Sequence, residues 1–166
     1  MQLLPNELRA YRNREWGYSM PRPHVWFGRS LEVEGGQGVI FTPDPEERTT
    51  AISVEVCELG TEVTANDLAD LEEAFLTGLR SVPGSSIERH EAFQSPYHIG
   101  VEAQQSFDTD GQRRRRWVRV LYKGTVQARL IAQGATVEEF DRLRPLFAPC
   151  MTAFLFGDVW PEPPPG

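Results

Sequence analysis

Cysteine and histidine are scarce in this chain, which has 2 cysteines and 3 histidines among 166 residues. Protein metal sites commonly use two or more such residues at short spacing. Here His24, His90 and His98 are dispersed, so the sequence predicts no metal. Cys57 falls in a strand pattern and Cys150 on an apolar helix stripe. We therefore expect two buried thiols, with neither a disulfide nor a nucleophile.

Positive charge is also in deficit, because 17 Lys and Arg oppose 24 Asp and Glu, giving a net charge of −7. Nucleic acids and anionic membranes attract basic surfaces, so this balance argues against general nucleic-acid binding. No run approaches the ~20 apolar residues of a membrane span. Residues 1–17 contain several charges and lack the apolar core of a signal peptide. We expect a cytoplasmic protein without a membrane span.

Catalytic motifs are missing as well. The chain has no Gly-x-Ser-x-Gly elbow for a serine hydrolase. Gly35, Gly36 and Gly38 are not followed by Lys and Ser or Thr, so they indicate a bulge or hairpin tip instead of a phosphate loop. Adjacent acids such as Glu72 and Glu73 point in different directions on a helix and indicate a solvated face. The sequence predicts no catalytic residue and no cofactor.

The clearest positive signal is a set of three strand-like runs in residues 97–132. Polar and apolar residues alternate in each run with the period of two expected for a strand with unlike faces. Asp110-Gly111 separates the first two runs, and Lys123-Gly124 separates the second and third. Connections this short join antiparallel neighbours, so we predict a meander.

Two amphipathic helices are predicted over residues 64–81 and 136–154. Thr64 with Asp67 and Thr136 with Glu139 can cap their first turns. The predicted buried stripes are Leu68, Leu71, Phe75 and Leu79 in the first helix, and Phe140, Leu143, Phe147, Cys150, Met151 and Phe154 in the second. Asp70, Glu73 and Thr77 form the opposite, exposed face of the first helix. Pro145 predicts a kink, or two helical pieces, near Arg144.

Residues 49–59 and 86–93 add two further strands, and residues 31–41 a strand interrupted by glycines. Strands and helices in this order predict the α+β class, an antiparallel β-sheet with helices packed on it. We expect a polar lead-in over residues 1–14, one domain over residues 15–156, and a Pro-rich tail over residues 157–166.

The chain resembles the PsbP-like superfamily of α/β/α sandwich proteins, which includes DcrB-like bacterial proteins, Eag secretion chaperones and a nuclear-import factor that binds the Ran GTPase. The similarity lies in residues 17–21 followed by Trp26, in the strand at 52–56, in the helix at 64–80, and in residues 122–154. The resemblance implies a bacterial protein that binds other proteins. It supplies no catalytic residues.

Two surfaces are candidates for binding. Arg113 to Arg116 lie beside the Asp110-Gly111 turn, where alternation divides them between two faces, so we expect a solvated hairpin tip paired with Asp108 and Asp110. The second surface is one face of the meander, the predicted protein-binding site. Its proposed members are Trp117, Arg119, Leu121, Arg129 and Ile131, with Glu102 nearby. Arginine and a large aromatic among aliphatics are typical of an interface hot spot.

Two interpretations of this second surface stay open: a partner binds there, or a segment of the same chain covers it. The sequence as a whole predicts a non-enzymatic protein-binding module, an adaptor or a secretion-chaperone-like protein, whose partner is another protein. It would bury a partner's apolar segment against a sheet face or groove. The alternative is a small-molecule carrier or an enzyme with an unrecognised pocket, which a deep closed cavity would favour.

Overall fold

The computed structural model describes residues 7–157, which form ten strands and two α-helices. The strands are β1 (Leu8–Asn13), β2 (Tyr18–Pro23), β3 (Phe27–Leu31), β4 (Gly36–Thr42), β5 (Ala51–Glu58), β6 (Ser86–Gln94), β7 (Ile99–Thr109), β8 (Gln112–Lys123), β9 (Val126–Gly134) and β10 (Leu155–Phe156). The helices are α1 (Leu68–Arg80), preceded by a 3-10 turn, and α2 (Val137–Thr152). In the part of the chain described, no helix is long and apolar enough to cross a membrane.

The strands form a seven-stranded sheet in the order β3-β4-β5-β9-β8-β7-β6 and a three-stranded sheet in the order β1-β2-β10. Every pairing is antiparallel. The predicted α+β class is therefore confirmed, and so is the meander, which is β7-β8-β9. The small sheet was not predicted.

The tight turns fix the register of the meander. Asp110 and Gly111 both have positive φ, as two-residue hairpin turns commonly require. Lys123 pairs with Val126 across the second turn. Because directly paired residues share a face, this register sets Trp117 beside Ala132 on one face of the sheet and Val118 beside Ile131 on the other.

Helix α2 and the small sheet cover the face that contains Trp117, which we call the α2 face. Thr136 caps the helix by accepting a hydrogen bond from the Glu139 amide at 3.0 Å. The whole predicted stripe is buried, with Phe140, Phe147 and Phe154 fully so. Gly134 allows the close approach, since a Cβ there would lie 2.4 Å from the Phe140 nitrogen.

Helix α2 runs without interruption through Pro145 and Pro149. Of the two alternatives predicted near Arg144, two helical pieces are therefore wrong, and a kink stays a prediction. Proline removes one backbone hydrogen bond and crowds one carbonyl, but the packed stripe on both sides of it offsets that cost.

Helix α1 packs on the opposite face, which we call the α1 face, against β6 and β7. Thr64 and Asp67, which were predicted to open this helix, form a capping box ahead of it. Leu68, Leu76 and Leu79 are buried, whereas Leu71 and Phe75 are only half-buried. The predicted polar side of this helix, Asp70, Glu73 and Thr77, is exposed.

The predicted lead-in over residues 1–14 contains β1, which pairs with β2 from Leu8 to Asn13. Strand β1 therefore belongs to the folded unit, because the half-buried Leu8 and Tyr11 pack against the main core. Strand β2 continues through Pro21 and Pro23 beyond its pairing with β10, so the prolines lie where β2 has a single neighbour. The predicted tail lies outside the described residues, apart from Gly157.

Replacing Trp117 tests the packing of the α2 face. Its side chain is 6% exposed, so Trp117→Ala should lower the free energy of unfolding by about 3–5 kcal/mol. Denaturant unfolding followed by far-UV circular dichroism should show a lower midpoint with an unchanged slope. Tyr97→Ala is the control, since Tyr97 is 53% exposed and its loss should cost less than about 1 kcal/mol. Equal midpoints for the two variants would contradict this packing.

Candidate functional site

The five residues predicted to form one binding surface do not lie together. Trp117, Arg119 and Leu121 are 6%, 7% and 0% exposed on the α2 face. The same chain covers them, as the second of the two interpretations held. Strand alternation correctly placed these three on one face, but it could not show which face α2 would occupy.

Arg129 and Ile131 lie on the opposite side of the sheet. Arg129 pairs with Val120, and Ile131 pairs with Val118, both on the α1 face. The prediction of a common surface is therefore wrong. A shift of one residue in register moves every side chain to the other face, and the two residues between Lys123 and Val126 set that register.

Arg119 is a structural residue. Its Nε donates to Glu102 Oε2 at 2.7 Å, and its Nη1 donates to the Met151 carbonyl of α2 at 2.6 Å. Arg89 completes the group by donating to the other Glu102 oxygen at 2.8 Å. Burial lowers the pKa of Arg119, while the charge of Glu102 opposes that shift. The group joins α2 to the sheet and leaves Arg119 buried.

His98 takes part in packing beside this group. Its ring contacts Phe93 and Phe156 edge to face, with centroid separations of 6.0 and 6.3 Å. Burial and, to a lesser extent, the charge of Arg119 together lower the pKa of His98 to about 4. The imidazole is therefore neutral near pH 7. Among residues 7–157, no group of three His, Cys, Asp or Glu is placed to hold a metal.

The four-arginine run divides between the two faces, as the alternation predicted. On the α2 face, Arg113 pairs with Asp108 at 3.0 Å and Arg115 pairs with Asp141 at 2.9 Å. The pairing of Asp108 is thus confirmed, but Asp110 forms no ion pair in the described part of the chain. The other two arginines lie on the α1 face with Val118 and Val120.

A cleft of about 440 Å³ lies on the α1 face between α1 and strands β8 and β9, and we call it the α1 groove. Leu71 and Phe75 form its helical wall, and Val120 and Tyr122 belong to its strand side. Arg116 and Arg129 also line it. The side of the groove towards β9 is open, because Arg129 is exposed. The groove combines apolar side chains with two arginines.

Contacts with Gln105 and Phe107 fix the position of the Arg116 side chain. Its Nε donates to Gln105 Oε1 at 2.9 Å, and its guanidinium carbon lies 4.6 Å from the centre of the Phe107 ring. Gln105 is fully buried and donates to the Leu79 carbonyl at the end of α1 at 2.5 Å. Burial lowers the pKa of Arg116, and the positive charge of Arg129 lowers it further.

Sequence reasoning assigned Arg116 to a solvated tip and Phe75 to a core stripe. The alternation did contain a signal, because Arg116 has the same phase as Val118, Val120 and Tyr122. The pattern could not show how far α1 extends across the sheet. In the structure, the part of the sheet that α1 covers ends near β8. An arginine at that margin is half-buried and not solvated.

The ion pairs give a matched test of buried and exposed charge. Glu102→Leu should lower the free energy of unfolding by about 3–5 kcal/mol, because it leaves the buried Arg119 charge uncompensated. Asp108→Leu removes the carboxylate of an ion pair whose side chains are 46% and 53% exposed. That loss should cost about 1 kcal/mol or less. Similar losses in denaturant unfolding would show that Arg119 is not buried as described.

Thiol labelling tests the two cysteines. Burial raises the pKa of Cys150 to about 12, so the native protein should not react there. Cys57 is half-buried, and a thiol reagent should label it slowly. We expect one labelled thiol in native protein and two in denaturant, with no native labelling of Cys57→Ser. Fast reaction at Cys150, or zinc found by elemental analysis of protein purified without chelator, would contradict a site free of metal and nucleophile.

No protein-family model and no curated protein sequence matches the chain. Solved structures do match. Cyanobacterial PsbP (CyanoP) from Synechocystis sp. PCC 6803 is 17% identical with a TM-score of 0.69, over 91% of this chain and 93% of CyanoP.

LpqN, involved in cell envelope biogenesis of Mycobacterium tuberculosis, is 14% identical with a TM-score of 0.59, over 92% of each chain. The Saccharomyces cerevisiae Ran-binding protein Mog1p is 12% identical with a TM-score of 0.56, over 92% of this chain and 96% of Mog1p. At these identities the likeness concerns the fold, and it confirms the resemblance seen in the sequence. The chain has the PsbP-like fold.

Proposed function

We propose that this protein is a non-enzymatic protein-binding module that takes an apolar segment of another protein into the α1 groove. The observation that carries the proposal is the incomplete cover of the α1 face. Phe75 and Leu71 are half-buried at the edge of α1, and Val120 and Tyr122, each 7% exposed, lie beside them on the strand side of the groove. A partner segment placed there would remove the remaining apolar surface from water.

The composition of the groove supports a protein partner. Aromatic residues and arginine are enriched at protein interfaces and among their hot spots. Tyr122, Phe75, Arg116 and Arg129 supply this combination within one cleft. Arg129 thus remains a proposed contact residue from the original five, and Ile131 lies on the same face but does not line the groove.

The shape of the groove favours this proposal over a small-molecule carrier or an enzyme. Small-molecule sites bury most of the ligand surface in a concave pocket with converging polar groups. The α1 groove is open towards β9, where Arg129 is exposed. An open cleft fits an extended or helical segment better than a compact ligand.

Two further points support the proposal. Mog1p, a protein with a similar fold, is Ran-binding, which gives a precedent for a protein partner. The cysteines are free: Cys57 lies on the α1 face and Cys150 in α2 on the other side of the sheet. Free thiols are typical of a reducing compartment, so we propose a cytoplasmic adaptor or chaperone-like role.

Photocrosslinking in the cells that express this protein tests the proposed function. The photoreactive residue p-benzoylphenylalanine replaces Gln127, which lines the groove, or Thr77, which is exposed on the far side of α1. We expect the Gln127 position to give a discrete protein adduct that the Thr77 position does not give. Mass spectrometry of the adduct identifies the partner.

A second change links the adduct to the groove itself. Phe75→Gln should reduce the Gln127 adduct at least about five-fold, because it removes the aromatic wall of the cleft. Denaturant unfolding of Phe75→Gln verifies that the variant is folded. Equal adducts from Gln127 and Thr77, or an adduct unaffected by Phe75→Gln, would contradict a protein site in the groove. If native mass spectrometry shows a small molecule retained by the purified protein, and no photocrosslinked protein adduct forms, the alternative function of a small-molecule carrier would be favoured.

A further inference from the structure

The α1 groove is lined by positive charge, whereas the whole chain has a net negative charge. The chain has 24 acidic and 17 basic residues, yet the lining of the groove contains two arginines and no carboxylate. Three other arginines of β8 form ion pairs: Arg113 with Asp108, Arg115 with Asp141, and Arg119 with Glu102. Arg116 and Arg129 form no ion pair within residues 7–157.

One carboxylate lies beside Arg129 without forming an ion pair with it. Glu55 of β5 is the cross-strand neighbour of Arg129. It makes no ion pair with Arg129 within 4 Å, and it lies on the side of β9 away from Arg116. Arg114 also lies on the α1 face. The hydrogen bonds from Thr49 are the main cause of the lowered pKa of Glu47, and the charge of Arg114 contributes a smaller part. Arg116 and Arg129 thus line the cleft without a carboxylate among its lining residues.

Arg116 is already oriented for binding. Its Nε is occupied by Gln105 and one face of its guanidinium by Phe107. The terminal nitrogens have no hydrogen-bond partner among the described residues. Planar guanidinium groups with free terminal nitrogens match the two oxygens of a carboxylate. Because Gln105 and Phe107 already fix the Arg116 side chain, little side-chain entropy is lost when a carboxylate binds.

We propose that the α1 groove selects partner segments that carry a carboxylate, bound between Arg116 and Arg129, next to large apolar side chains. The inference rests on the proposed function and specifies its partner: an acidic amphipathic protein segment. A carboxylate would relieve the repulsion between the two guanidinium groups, while the apolar neighbours would pack against Phe75, Val120 and Tyr122. Two cations on a chain of net charge −7 do not suffice for a nucleic acid.

Selection from a random peptide-display library tests the chemistry without a known partner. The library is incubated with immobilised full-length protein, and the retained peptides are sequenced. We expect enrichment of Asp or Glu flanked by large apolar residues. A chain of net charge −7 repels acidic peptides in general, so such enrichment requires a local positive site.

Matched variants assign the enrichment to the two arginines. Arg116→Gln/Arg129→Gln should retain apolar peptides but lose the acidic preference, and Arg129→Glu should change it towards Lys or Arg. Arg129→Gln alone serves as a second variant, because an exposed side chain can be changed without loss of folding. Far-UV circular dichroism and denaturant midpoints verify that each variant is folded.

Calorimetry of one selected peptide gives the magnitude. Replacing its acidic residue by the amide should weaken binding about ten-fold or more to the parent protein and less than about two-fold to the double Gln variant. Apolar peptides without acidic enrichment would overturn this inference and leave the proposed function standing. Acidic enrichment retained by the double variant would also overturn it. Failure to retain any peptide would overturn both.

Discussion

Strand β8 has to be covered on both faces. Trp117 and Leu121 on one side and Val118 and Val120 on the other are all buried, and one layer cannot remove both sets from water. Helix α2 supplies the first cover and α1 the second. The layered architecture follows from this requirement, and the groove arises because the second cover ends before β9.

The arginines of β8 show how one residue type acquires different roles within one strand. Arg119 lies in the middle of the α2 face, where burial would be costly without Glu102 and the Met151 carbonyl. Arg116 lies three residues earlier on the other face, at the margin of α1. Gln105 and Phe107 position it without cancelling its charge. Burial and pairing make Arg119 structural, whereas Arg116 forms no ion pair among the described residues and is the proposed binding residue.

The similarity to CyanoP at 17% identity shows what this fold requires of a sequence. Alternating strands, tight turns at fixed places and two apolar helical stripes suffice for the architecture, and many different side chains satisfy them. The sites that give such proteins their partners are set by the residues at the margins of the layers. In this chain the proposed contact residues at such a margin are Phe75, Tyr122, Arg116 and Arg129.

Much of the architecture was predicted from local pattern. The period of two in residues 97–132, the turn at Asp110-Gly111 and the caps at Thr64 and Thr136 are properties of neighbouring residues, and the structure agrees with each. The uninterrupted course of α2 through Pro145 was not predictable, because packing against the sheet outweighs the local effect of proline. The pairing of β1 with β2 was missed because it depends on the small sheet that these strands form with β10.

The sequence by itself determined that Trp117 and Val118 face opposite ways, since successive side chains of a strand alternate. The tertiary structure alone decided that α2 covers Trp117, that Arg129 and Ile131 lie on the other face, and that α1 leaves a groove beside them. Strand register and helix placement depend on contacts between residues far apart in the chain, such as Arg119 with Met151. Local periodicity contains no information about how far a helix reaches across a sheet, and that reach places the candidate site.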